Sequence, residues 1–222
     1  MSADKATQID TNLQAALGTL VRKLADNKAA MGRRYGEWAV SAPTLESAVA
    51  AAAMAQDELG HARSTYPVLK QLGLASAGDD GMDIVGCLPL LAQPLDSWEM
   101  FVAVNLVIDG MLTAFVRAAR DSNFIPLAER ARKILQEERS HEVHARAWTR
   151  RLASGDAASR EAFSAALTTC WTAIYGWAGE DQEYGALCDA GLVGESPEAL
   201  RTTVRQLVLE ALDGAQLPLE LA

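Results

Sequence analysis

The chain has 222 residues, half of them hydrophobic and only 6% aromatic, with a formal net charge of −9. That length suits one well-built domain, residues 1–222, and the aromatic-poor, Ala/Leu-rich balance suits packed helices. No Lys/Arg cluster offers phosphate neutralisation, so neither DNA nor RNA is an expected partner. The N-terminus lacks the apolar core of a signal segment, and no run reaches the ~18 uninterrupted apolar residues of a membrane span. No membrane association is expected, and a soluble, cytoplasmic protein is. Cys87, Cys170 and Cys188 are odd in number and widely spaced, which reads as buried thiols in a reducing compartment.

In chain order, Leu13, Leu17, Leu20, Val21, Leu24, Met31, Tyr35 and Trp38 recur at helical spacing, predicting one long helix from about Thr11 to Val40. Ser41-Ala42-Pro43 ends it, and Thr44 caps a second helix that stops near Gly73, with Pro67 expected to kink or shorten its last turns. Residues 74–94 carry Gly78-Asp79-Asp80-Gly81 and two prolines and read as a long crossover. A third helix is predicted from about Leu95 to Arg120 and a fourth from about Ile125 to Ala153. The short break at Asp121-Ser122-Asn123 implies that these two are antiparallel neighbours. Shorter helices follow at about 158–177, 181–190 and 197–212, then a tail from Leu217, all expected to pack outside a four-helix core spanning about 11–153.

Only three histidines occur, His61, His141 and His144, and two of them have a Glu three residues earlier: Glu58/His61 and Glu138/His141. A three-residue step leaves carboxylate and imidazole as neighbours on one helix face, the ligand geometry of ferritin-like di-iron bundles. Hairpin spacing adds a partner to each motif. Asp109 precedes Glu138 by 29 residues and Lys28 precedes Glu58 by 30, so an antiparallel return at about 1.5 Å per residue brings each to its motif's height.

Asp109 is embedded in an apolar run, where a lone carboxylate is costly unless paired or metal-bound. The expected ligand set is therefore Glu58, His61, Asp109, Glu138 and His141, with Lys28 and Asp109 as the expected catalytic residues. That is one carboxylate short of the usual six-ligand pair of irons. Asp26 or Glu37 could supply the missing oxygen after a register slip, although both point well away from Lys28 around the helix. Alternatively, the Lys28 ammonium takes one metal's place, leaving one metal or none. His144 reads as partly exposed, and the five tryptophans read as core and interface residues.

At these residues the sequence resembles the ring-1,2-epoxidase family of phenylacetyl-coenzyme A degradation, a multicomponent ferritin-like oxygenase with homologous catalytic and non-catalytic subunits. Asp26-Asn27, Arg34-Tyr35-Gly36-Glu37-Trp38 and Ala42-Pro43-Thr44-Leu45 look like the structural subunit, as do Ala190-Gly191-Leu192 and Leu200-Arg201. Gln56-Asp57-Glu58-Leu59-Gly60-His61, Ile108-Asp109-Gly110 and Glu137-Glu138-Arg139-Ser140-His141 look like the iron-binding motifs of the catalytic subunit, and Lys28 stands where that pattern has a carboxylate. The resemblance implies an iron-dependent monooxygenase component with two irons, or one. Dioxygen would be its co-substrate, and a coenzyme A thioester such as phenylacetyl-CoA its substrate. A separate reductase and a homo- or hetero-oligomer would complete the system. Its alternative implication is a non-catalytic scaffold for a catalytic homologue, with a relic site held by Lys28.

Overall fold

The computed structural model describes residues 9–74, 84–177, 181–215 and 217. Gly78–Gly81 of the expected crossover and most of the C-terminal tail lie outside that range. The chain is an all-α, ferritin-like bundle. Its elements are α1 (Thr11–Trp38), α2 (Leu45–Gln71), α3 (Trp98–Ala103), a π-helical turn (Val104–Ile108), α4 (Asp109–Ala118), α5 (Ile125–Ala153), α6 (Ala157–Ile174), α7 (Asp181–Asp189) and α8 (Pro197–Leu212).

The starts follow capping chemistry. Asp10, Thr44, Ser97, Asp156 and Ser196 each accept a hydrogen bond from a first-turn amide, satisfying donors that a helix N-terminus leaves unpaired. Pro126 opens α5, where no amide is needed. The expected shortening at Pro67 does not occur: α2 runs on to Gln71, because Pro67 lies on its exposed face and only one backbone bond is lost.

α1 and α2 form the first hairpin, and α3, the π turn and α4 run as one helix into the second hairpin with α5. The span Trp98–Ala118 is long and apolar enough to cross a bilayer, yet most of it is buried inside the protein. α6 covers α3 and the π turn, α8 covers α4 and α5, and α7 lies against α1. Phe163, Leu167, Cys170, Val204 and Val208 are fully buried in the process, so the C-terminal helices complete the core rather than decorate it. Of the three thiols only Cys170 is buried; Cys87 and Cys188 are half-buried, a correction to the expectation for all three.

The returning crossover is held by two adjacent α1 side chains. Asp26 accepts from the Tyr66 hydroxyl at 2.7 Å and from the Gly86 amide at 2.8 Å. Asn27 accepts from the Leu88 amide at 2.9 Å. Asp26 is thus committed to tying α1, α2 and the crossover together, while Glu37 is exposed beside Arg34. Neither reaches the bundle centre.

Candidate metal centre

Lys28 occupies a core position in the apolar stripe Leu17, Val21, Leu24, Lys28, Met31, Tyr35 of α1, and its side chain is fully buried. Its Nζ donates to Asp109 Oδ1 at 2.6 Å, to Glu138 Oε1 at 2.6 Å and to Glu58 Oε1 at 3.0 Å. Three N–H bonds thus meet three carboxylates from three different helices, which saturates the donors of an ammonium. The π turn just before Asp109 shifts the helix register locally. It leaves Asn105 and Asp109 on the same side, with Asn105 Nδ2 3.4 Å from Asp109 Oδ2.

The two histidines are exchanged between hairpins. α2 and α5 run antiparallel here, and His141 Nδ1 lies 3.0 Å from Asp109 Oδ2 and 3.2 Å from Glu58 Oε1, while its Nε2 lies 3.4 Å from Asp57 Oδ2. Reciprocally, His61 Nε2 lies 2.7 Å from Glu137 Oε2, and its Nδ1 is 3.3 Å from Glu138 Oε1 without the alignment of a hydrogen bond. Each histidine therefore addresses the Glu of the opposite motif and the acid preceding it. Asp57 and Glu137 were not singled out from sequence. Their signal was available, since both motifs read acid-Glu-x-x-His.

Charge and burial set the protonation states. Burial alone would lower the Lys28 pKa, but Asp109, Glu138 and Glu58 outweigh it and hold the ammonium well above its ordinary value. His141 is pushed the same way: burial opposes its charge, yet Asp109 and Glu58 raise it to about 11. His61 is shifted upward too, with burial opposing and the Glu138 carboxylate dominating. Burial would raise Glu138, but Lys28 and the histidines hold it well below the carboxylate range; Glu58, with burial dominant, is raised. The three carboxylates are thus balanced by cations that the chain itself supplies.

Whether these residues suit a metal has two answers. By type and spacing they do: one ligand atom each from Glu58, Asp109, Glu138 and His141 lies within 4.8 Å of the others, and all four residues are buried, so the group could hold one metal ion. Glu58 Oε2 and His61 Nδ1 are buried without a hydrogen-bond partner, the kind of orphan a bound ion would satisfy. By occupancy they do not. The Lys28 ammonium already sits at hydrogen-bond distance from three of the four ligands, in the place an ion would take. With Lys28 in place the donors do not fit a metal. His61 stands beside the convergent group rather than within it.

A cavity of about 460 Å³ between α4, α5 and α8 reaches this cluster from the surface, with Asp109, Glu138 and His141 on its floor and Arg117, Arg146 and Glu210 among its lining residues. Gly110 keeps α8 close: a Cβ there would meet Leu207 Cδ2 at 2.9 Å. On the other side of the site Trp98 and Phe101 stack at 4.4 Å, and His144 meets both rings edge-on. Burial and the neighbouring His141 charge lower the His144 pKa to about 4, so it is a neutral packing residue.

A helical bundle with carboxylates and histidines converging from both hairpins defines a ferritin-like protein of the carboxylate-histidine type. The chain belongs to the family of phenylacetic acid catabolic proteins, whose family model matches residues 1–221. It is 27% identical over 204 residues to one of the subunits of the 1,2-phenylacetyl-CoA epoxidase of Escherichia coli (strain K12), a match covering 88% of this chain and 80% of that relative.

Proposed function

We propose that this chain is a non-catalytic subunit of a multi-subunit acyl-CoA epoxidase, acting on phenylacetyl-CoA or a similar aromatic thioester, and that a homologous subunit holds the reactive metal. The observation that carries this reading is the Lys28 ammonium at 2.6, 2.6 and 3.0 Å from three carboxylates. An internal cation there supplies charge balance without a redox centre, so the site holds the bundle together instead of handling oxygen. The similarity to a subunit of an epoxidase supports the assembly half of the proposal.

The oxygenase reading draws on a different observation, the four convergent donors at the end of a surface cavity. On that reading iron is loaded in place of Lys28, a reductase supplies electrons, and dioxygen and a coenzyme A thioester are consumed. Elemental analysis separates the two. Full-length protein grown with ample iron, then incubated anaerobically with ferrous ion and desalted, is expected to retain substoichiometric metal. Retention of one or two irons per chain, with oxygen consumption driven by a chemical reductant, would overturn the scaffold proposal.

A further inference from the structure

The charge balance of the cluster does not account for the cavity between α4, α5 and α8. At about 460 Å³ it falls within the ~300–1,000 Å³ of small-molecule sites. Leu106, Ala145, Val204 and Leu207 are its apolar lining. Four acids also line it, and each has a cation of this chain within 3.0 Å. Lys28 Nζ lies 2.6 Å from both Asp109 and Glu138, and Arg146 lies 2.8 Å from Glu142 and 3.0 Å from Glu210. Arg117 is the exception, an exposed lining guanidinium that forms no ion pair among the described residues.

The two arginines mark opposite ends. α4 and α5 run antiparallel, with Arg117 eight residues beyond Asp109 on α4 and Arg146 eight beyond Glu138 on α5. Each is thus about 12 Å from the floor along its helix axis at ~1.5 Å per residue, in opposite directions. The cavity is acid-rich at the Arg146 end and cationic at the Arg117 end. Asp109, Thr113 and Arg117 follow at four-residue steps, which drift by only ~40° each around the helix and so share one face. A ligand lying along that face meets a guanidinium at one end and carboxylates at the other. Its outer end is therefore anionic, and a planar carboxylate matches the guanidinium fork. Glu138 Oε2 takes a hydrogen bond from Thr113 at 2.9 Å and has a second lone pair, and an ionised carboxylate only accepts. The inner end of the ligand must donate, because an apolar end would strip Glu138 of water without replacing it. The span, roughly 12 Å less the reach of an arginine, suits a body of about six to nine carbons.

We infer that this cavity binds a small monocarboxylic acid bearing a hydroxyl at its far end, the carboxylate on Arg117 and the hydroxyl donating to Glu138. That the acid is held without being turned over rests on the subunit reading above; the binding itself needs only Lys28 on the floor. A coenzyme A thioester of the same acid lacks the carboxylate and is not the ligand. The probe is 3-(4-hydroxyphenyl)propionate, titrated calorimetrically into the full-length chain. For about twelve non-hydrogen atoms a Kd below ~1 mM is expected. Arg117→Gln is expected to weaken binding about tenfold, with Arg117→Lys restoring part of the loss. Arg205→Gln, exposed on α8 and outside the cavity, is expected to change nothing. 3-Phenylpropionate, without the hydroxyl, should bind at least threefold more weakly. The substituted side chains are exposed, so circular dichroism should show unaltered melting. Failure of both acids to bind, or binding that Arg117→Gln leaves intact, would overturn the site. Tighter binding of tyramine, the cationic counterpart, or of the coenzyme A thioester of the probe acid would overturn the choice of a carboxylate. Equal binding of the two acids would remove Glu138 from the site. Iron retained by the same sample would end the subunit reading, while the Arg117 outcomes would still decide the cavity.

Discussion

The two hairpins present the same motif and opposite partners for it. In the second, α4 places Asp109 opposite Glu138/His141; in the first, α1 places Lys28 opposite Glu58/His61. The histidines preserve the symmetry, each reaching across to the other hairpin's Glu and its preceding acid. The difference in one residue decides what the symmetric part does. A carboxylate in the position of Lys28 would give four acids with only the two histidines to balance them on the chain, leaving a net negative site that a cation from outside would neutralise. A lysine there brings the cation on the chain, and the donors close around it.

Removing Lys28 is the strongest way to break this arrangement. Lys28→Met keeps an apolar stem of similar length and leaves three buried carboxylates facing one another. Deleting one partner of a buried ion pair costs about 3–5 kcal/mol, and urea unfolding of the variant is expected to show a loss of that size. The same variant exposes four donors with nothing between them, so added Mn²⁺ should raise its stability while leaving the wild type unmoved, as mass action requires for a ligand bound only by the folded state. A variant insensitive to Mn²⁺ would mean that donor spacing, and not Lys28, keeps metal out.

A smaller effect comes from pH. His141 has a folded pKa of about 11, against roughly 6.5 for an unperturbed imidazole. Its contribution to stability is therefore complete below about pH 6.5 and is lost as pH rises towards 11. Glu138, held below the carboxylate range, contributes above about pH 4.3 and loses that contribution on acidification. Stability should thus fall on both sides of neutrality. Between pH 7 and 8 Lys28 is protonated in both folded and unfolded states, and the thiols, which burial pushes up in the folded protein, have not begun to ionise in the unfolded chain, so the alkaline decline there belongs to the histidines, His141 foremost. Urea unfolding across that interval should show a steep decline for wild type and a flatter one for His141→Gln. Parallel declines would exclude His141 as the titrating group.

Much of this was legible in sequence because it rests on periodicity and spacing. The four long helices, the hairpin–crossover–hairpin order and the level of Asp109 and Lys28 follow from helical rise, and the antiparallel return does bring Lys28 to Glu58 and Asp109 to Glu138. That Lys28 points inward was also readable, since it replaces an apolar residue in the stripe Leu17–Val21–Leu24–Met31–Tyr35. What spacing could not give was the exchange of histidines between hairpins, which depends on the antiparallel approach of α2 and α5. Nor could it give the role of Asp26, whose tie to Gly86 is set by the path of the crossover. The π turn at Val104–Ile108 was hidden as well, because one extra residue per turn leaves a uniformly apolar segment looking the same.

The smallest predicted effect concerns the second oxygen of each glutamate. Glu138 Oε2 accepts from the Thr113 hydroxyl at 2.9 Å, whereas Glu58 Oε2 is buried with no partner. Thr113→Val keeps the shape and deletes the donor, making the second hairpin's glutamate resemble the first's. A hydrogen bond to a charged group is worth about 1.5–3 kcal/mol, but Thr113 and Glu138 both line the cavity, where water can take the hydroxyl's place. The expected loss in urea unfolding is therefore about 1 kcal/mol, with Glu138 titrating upward because its ionised form has lost a donor. A loss of about 3 kcal/mol or more, the top of that range, would show that water does not reach Glu138 and that the cavity is closed off from the cluster in solution. A loss near zero would place the hydroxyl outside the charge balance, leaving Lys28 and the histidines as the groups that hold Glu138 ionised.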